Sequence, residues 1–184
     1  MNEMIYRYER KFILGVNFIE NIEDLESYLS IGLKEAFNQR RINSIYYDTP
    51  KYKFATDTKE GFSNRQKIRI RFYGDLDKFN SPNLEIKSKA GIVGTKEVYK
   101  LQKDEIYKNN FLIRSSNKLN IKNKEAFYLL SNIEPKVTVT YQRKYFMSFC
   151  NRYRFTLDTD IRFKSFNRNM LEQSLNYDLF YPYN

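Results

Sequence analysis

Apolar and polar positions alternate most cleanly in RQKIRIRFYG, where Ile68, Ile70 and Phe72 stand between Lys67, Arg69 and Arg71. A period of two predicts a β-strand with one apolar face and one wholly cationic face. Similar alternation predicts strands over MIYRYERKFIL, over INSIYYDTP up to Pro50, and over LEIKSK and TKEVYKL. Two more follow Pro135, in KVTVTYQRKYFMSF and YRFTLDTDIRF, joined by a turn at CNR. AGIVG predicts a hairpin, and GDLDKFNSPN a longer turn. In NIEDLESYLS, Ile22, Leu25 and Leu29 share one stripe of a helix that Gly32 stops, and the polar middle containing NKEAFYLL reads as helical. The sum, about seven strands with two or three helices, predicts an α+β fold with antiparallel pairing. No repeat or linker divides residues 1–184, so one domain is expected.

Cations recur at alternate strand positions: Arg7 and Lys11, then Lys67, Arg69 and Arg71, then Lys87, Arg143 and Arg154. Carboxylates share those faces, with Glu9 between Arg7 and Lys11, Glu85 beside Lys87, and Asp158 after Arg154. Like charges aligned on a strand repel, so such a face is either solvated surface or the lining of a site for an anion. An open sheet accommodates the first. A closed barrel with flanking helices accommodates the second, its charged faces converging on a lumen. Empty, that lumen is costly; filled by a chain of phosphates, it gains bidentate guanidinium contacts. Glu9, Glu85 and Asp158 either neutralise neighbouring bases or hold Mg²⁺ or Mn²⁺ against the phosphates. Asp158 and Asp160 also fit a strand-end turn, and the Tyr and Phe residues are expected in the core, opposite the charges.

The composition agrees with a folded chain and an anionic partner. Hydrophobic residues make up 41% and aromatics 17%, which excludes disorder, and 32 basic against 22 acidic residues leave a net charge of +10. Nucleic acid, an anionic membrane surface and a polyphosphorylated small molecule all satisfy that charge. Cys150 is the sole cysteine and histidine is absent, which removes internal disulfides, zinc sites and histidine acid–base catalysis. No run reaches the roughly 18 apolar residues of a membrane span. The start, MNEMIYRYER, lacks a signal-peptide core, so a cytoplasmic location is expected.

YERKF, NSIYYDTP, KIRIRFYG, LEIKSK, TYQRKYF and RFTLDTDI, in that order, resemble the VTC domain, the catalytic domain of polyphosphate polymerases in the triphosphate tunnel metalloenzyme (CYTH-like) superfamily. The likeness runs from about residue 5 to about residue 162. The hydrolase branch of that superfamily opens with E-x-E-x-K; Arg7 gives R-x-E-x-K here, which is similar to the polymerase branch. Family members finish with an L-E-x-K strand that supplies the principal metal ligand and helps close the tunnel. No such strand stands before the final DLFYPYN, so an incompletely closed tunnel is expected.

The resemblance implies phosphate ligands at Arg7, Lys11, Lys67, Arg69, Arg71, Lys87, Lys96, Arg143 and Arg154, with Ser44 and Tyr46 facing the lumen. Lys11, Arg69, Arg71 and Arg143 take the catalytic part, and Glu9, Glu85 and Asp158 the metal. The implied reaction moves the γ-phosphoryl group of ATP onto a growing polyphosphate chain with Mn²⁺ or Mg²⁺. ATP, polyphosphate or tripolyphosphate are then the partners, and nucleic acid is not. Two alternatives stay open: a triphosphatase of the same superfamily, and a non-catalytic polyphosphate-binding module.

Overall fold

The computed structural model describes residues 9–14, 22–75, 80–101, 128, 132–165 and 181–182. Helix α1 (Ile22–Leu29) precedes strand β1 (Leu33–Asp48), and a short helix α2 (Lys53–Lys59) follows it. Strands β2 (Arg65–Tyr73), β3 (Asn80–Ala90), β4 (Val93–Lys100), β5 (Glu134–Ser148), β6 (Arg154–Ser165) and β7 (Tyr181–Pro182) complete the order. Together they form one antiparallel sheet, β4-β3-β2-β1-β5-β6-β7. Among the described residues β4 and β7 are its edges, so the architecture shown is an open sheet with few helices.

Each turn has a local cause. Ala90 pairs with Val93, leaving Gly91 and Ile92 as a two-residue hairpin turn, and Gly91 takes a φ of +59° that costs glycine little. The β5–β6 hairpin turns at residues 149–153, where Ser148 Oγ accepts a hydrogen bond from the Tyr153 amide at 3.1 Å. Helix α2 is held from outside itself: the Asp48 carboxylate accepts the amides of Phe54 and Ala55 at 2.8 and 2.9 Å. That satisfies donors the first helical turn leaves open and seats buried Phe54 against the sheet.

One face of the sheet carries the core. Ile45, Ile70 and Leu84 lie in register across β1, β2 and β3, as do Tyr47, Ile68 and Ile86, and all are buried. Buried Asn43 joins the central strands, accepting from Thr140 Oγ1 at 2.7 Å and donating to the Gly74 carbonyl at 2.8 Å. A second cluster forms where Leu25 of α1 packs on Leu33 and Phe146. The strand expected over MIYRYERKFIL does not form where it can be followed: residues 9–14 carry no regular structure, and the rest lies outside the described residues. The helix expected around NKEAFYLL also falls outside them, apart from Tyr128. No helix among the described residues is long and apolar enough to cross a membrane.

Candidate functional site

The opposite face gathers the cations. Lys67 on β2, Lys87 on β3 and Lys96 on β4 lie directly opposite one another, forming a row of lysines across three strands. One step along, Tyr46, Arg69 and Glu85 are in register, and then Ser44, Arg71 and Asn83. The lysine row is exposed, but the arginine row beside it is not bare surface. The side chains of Arg69 and Arg71 are only 12% and 15% exposed, and Glu85 is buried.

Glu85 is the hub of this cluster. Its Oε1 accepts from Lys96 Nζ at 2.7 Å and its Oε2 from Arg69 Nε at 2.8 Å, with Arg71 Nη1 at 4.0 Å. Burial alone would raise its pKa, but the Lys96 hydrogen bond and the charges of Arg69 and Arg71 outweigh that and hold it at about 2. Arg69 also donates to Tyr46 Oη at 3.0 Å, its guanidinium 5.7 Å from that ring. Partial desolvation, then the nearby charge of Arg69, keeps Lys87 below the ordinary lysine range. One carboxylate is thus shared among several cations, and the face keeps excess positive charge.

At the centre, two buried polar atoms have no hydrogen-bond partner among the described residues: Ser44 Oγ and Arg71 Nε, on residues directly paired across β1 and β2. Buried donors and acceptors are nearly always satisfied, so both atoms call for a polar partner.

Further along the face, Arg143 makes a two-pronged contact with Asp158, Nε to Oδ1 and Nη2 to Oδ2, both at 2.6 Å. That pairing raises the arginine pKa further. Tyr141 packs beneath, 5.1 Å from the guanidinium, its own pKa raised by burial and drawn back by Arg143 and Arg71. Arg154 is exposed at the end of β6, opposite Met147.

Of the expected site residues, the sheet therefore brings Ser44, Tyr46, Lys67, Arg69, Arg71, Glu85, Lys87, Lys96, Arg143, Arg154 and Asp158 onto one face. Arg7 lies outside the described residues. Lys11 and Glu9 sit in the irregular segment 9–14, strongly exposed and 3.8 Å apart, away from any strand.

The expected metal ligands do not come together. Glu85 is occupied by Arg69 and Lys96, Asp158 by Arg143, and Glu9 pairs with Lys11 in solvent. Among the described residues no three His, Cys, Asp or Glu side chains are gathered where they could hold an ion. Each of the three carboxylates has a cationic partner, so the described residues show no assembled divalent-metal site. Nor is Asp160 a free turn residue: it accepts from Arg41 and Arg162, each at 2.6 Å, at a φ of +49°.

Apart from Tyr46, which the resemblance set beside Ser44, sequence reasoning missed the aromatic share of this face. Tyr46, Tyr73, Tyr141 and Tyr145 lie with the arginines, not in a core opposite them, because their positions have the same parity as the charges. Arg40 was missed too, although it continues the even-numbered series of Ser44 and Tyr46.

The site thus stands on one face of an open antiparallel sheet whose other face is the apolar core. The match to known proteins is more specific. The family model for the VTC domain matches residues 6–180, so the chain belongs to the VTC domain family. Among solved structures it is similar to one described as "a putative adenylate cyclase" from Bacillus halodurans, with a TM-score of 0.52 and 16% identity, over 84% of this chain and 71% of that one. That likeness is one of fold. No curated protein matches the chain.

Proposed function

We propose that the cationic face binds the phosphate chains of ATP and polyphosphate, and that the protein transfers the γ-phosphoryl group of ATP to the end of a growing polyphosphate. The unpartnered pair, Ser44 Oγ and Arg71 Nε, carries the reading. A phosphoryl oxygen would accept from both at once, and flanking Arg69 and Lys87 supply the charge an extended polyanion requires. In this reading the sheet curls until its edges approach, and the face becomes the lining of a tunnel. VTC membership supports the polymer as ligand, and the name of the similar structure supports a nucleoside triphosphate.

Phosphoryl transfer asks little covalent help of a protein; positioning and charge stabilisation supply most of the rate. Arg69 and Arg71 would hold the triphosphate in line and offset charge on the moving group. A terminal phosphate oxygen of the polymer attacks the γ-phosphorus, the bond to the β-γ bridging oxygen breaks, and ADP leaves. The attacking oxygen is already ionised, so no general base is required. Hydrolysis, in contrast, needs a carboxylate to activate water. Glu85 and Asp158 are both engaged by cations, which favours transfer over hydrolysis.

The test is incubation with ATP in Mg²⁺ or Mn²⁺ buffer, with products resolved by chain length. Long polyphosphate is the expected product. Free phosphate alone would replace this reading with a triphosphatase. Tight tripolyphosphate binding without turnover would replace it with a binding module.

A further inference from the structure

Beyond the phosphate-facing arginines, β1 runs past the end of β2 and pairs there with β5 alone. On this extension Phe37 pairs with Tyr145, and Arg40 with Arg143. Two residues three apart on a regular strand point to opposite faces. Tyr145 and Arg143 are two apart, so β1 carries one extra residue here, a bulge, and Phe37 and Arg40 reach the same face. The Phe37 ring meets Tyr145 edge-on at 5.8 Å, and the Arg40 guanidinium lies 5.8 Å from the Tyr145 ring and 6.0 Å from that of Tyr73. Phe37 is 53% exposed, so its ring is open to a ligand, among Glu35, Asn38 and Gln39. Arg40 is exposed as well, and its recorded contacts among the described residues are with rings rather than carboxylates.

We propose that Phe37, Arg40 and Tyr145 form a platform for the nucleobase of a nucleoside triphosphate whose phosphates lie on the cationic face. This rests on the phosphate-binding reading above and adds the base to it. Exposed aromatic rings and arginine planes are surfaces on which bases stack. The spacing fits: Arg40 and Ser44 are four strand residues apart, about 13 Å, which leaves room for a ribose and a triphosphate between the platform and the unpartnered Ser44–Arg71 pair. A bulge that re-aims a side chain beside a site is a recurrent device. Stacking on an open platform reads the π-face of any base, so the site accepts several nucleotides.

The experiment compares ATP with tripolyphosphate, each titrated calorimetrically into the wild-type chain, Phe37→Ala and Phe37→Tyr. Phe37→Ala should weaken ATP by about tenfold and leave tripolyphosphate within about twofold, while Phe37→Tyr restores ATP. Phe37 is exposed, so the fold should survive, which circular dichroism checks. Unchanged ATP affinity, or equal loss for both ligands, overturns the platform while sparing the phosphate site. Failure of the wild-type chain to bind tripolyphosphate overturns the phosphate reading and the platform with it.

Discussion

Ser44 and Arg71 face each other across β1 and β2, and each buries a polar atom that nothing in the described residues satisfies. An orphan of this kind costs stability unless a ligand completes it. Replacing Ser44 by alanine removes the hydroxyl without breaking an internal bond. Ser44→Ala should therefore leave thermal stability unchanged or slightly raised, yet weaken tripolyphosphate about three- to tenfold. Scanning calorimetry beside titration calorimetry separates the two effects; a large loss of stability would show that the hydroxyl is structural.

Glu85 ties Arg69 and Lys96 together inside the sheet. Glu85→Gln leaves the largely covered Arg69 without its charge partner and should cost about 3 kcal/mol at neutral pH. The pH dependence is specific. The folded-state pKa of about 2 lies below the ordinary 4.5, so the carboxylate's contribution is complete above 4.5 and is lost as pH falls from there through 2. The stability gap between wild type and Glu85→Gln, read by urea titration, should narrow across that window. A gap independent of pH would contradict this.

Asn43 bridges β1 to β5 through Thr140 and to the β2 exit through Gly74. Asn43→Ala should cost about 1–3 kcal/mol, because the buried partners lose their satisfaction. Combined with Thr140→Val, the loss should fall short of the sum by about 1 kcal/mol in a double-mutant cycle. Strict additivity would mean the two side chains act separately.

Phe72 sits beside Arg71 yet on the opposite face, fully buried. Phe72→Ala should cost about 3–5 kcal/mol in urea unfolding through the cavity it leaves. A loss below about 1 kcal/mol would place Phe72 outside the core.

Much of this was legible in the sequence where alternation was clean. Ile68, Ile70 and Phe72 against Lys67, Arg69 and Arg71 named both faces of β2 correctly, and LEIKSK and AGIVG gave the hairpin beside it. Legibility failed where tertiary contacts decide. Helix α2 is seven residues long with a single buried side chain, and its cap, Asp48, lies outside it in the preceding strand. The first half of β1, LKEAFNQRR, is polar on both sides and interrupted by bulges, so no period shows. The carboxylates were ambiguous from sequence because cations and metals suit the same ligands; in the structure Glu85 pairs with Arg69 and Lys96, and Asp158 with Arg143. Apart from Tyr46, the tyrosines were legible in parity but were read by hydrophobicity, which hid the rings under Arg40 and Arg143.

The central claim is that the half-buried cationic face is a phosphate site and not a structural ion cluster. The most direct measurement is calorimetric titration of tripolyphosphate into the wild-type chain and Arg71→Ala at near-physiological salt. The account predicts near one-to-one binding by the wild type and a loss of about ten- to a hundredfold in the variant, with the melting temperature nearly unchanged. Equal affinity in the two proteins, or no binding by either, would contradict it.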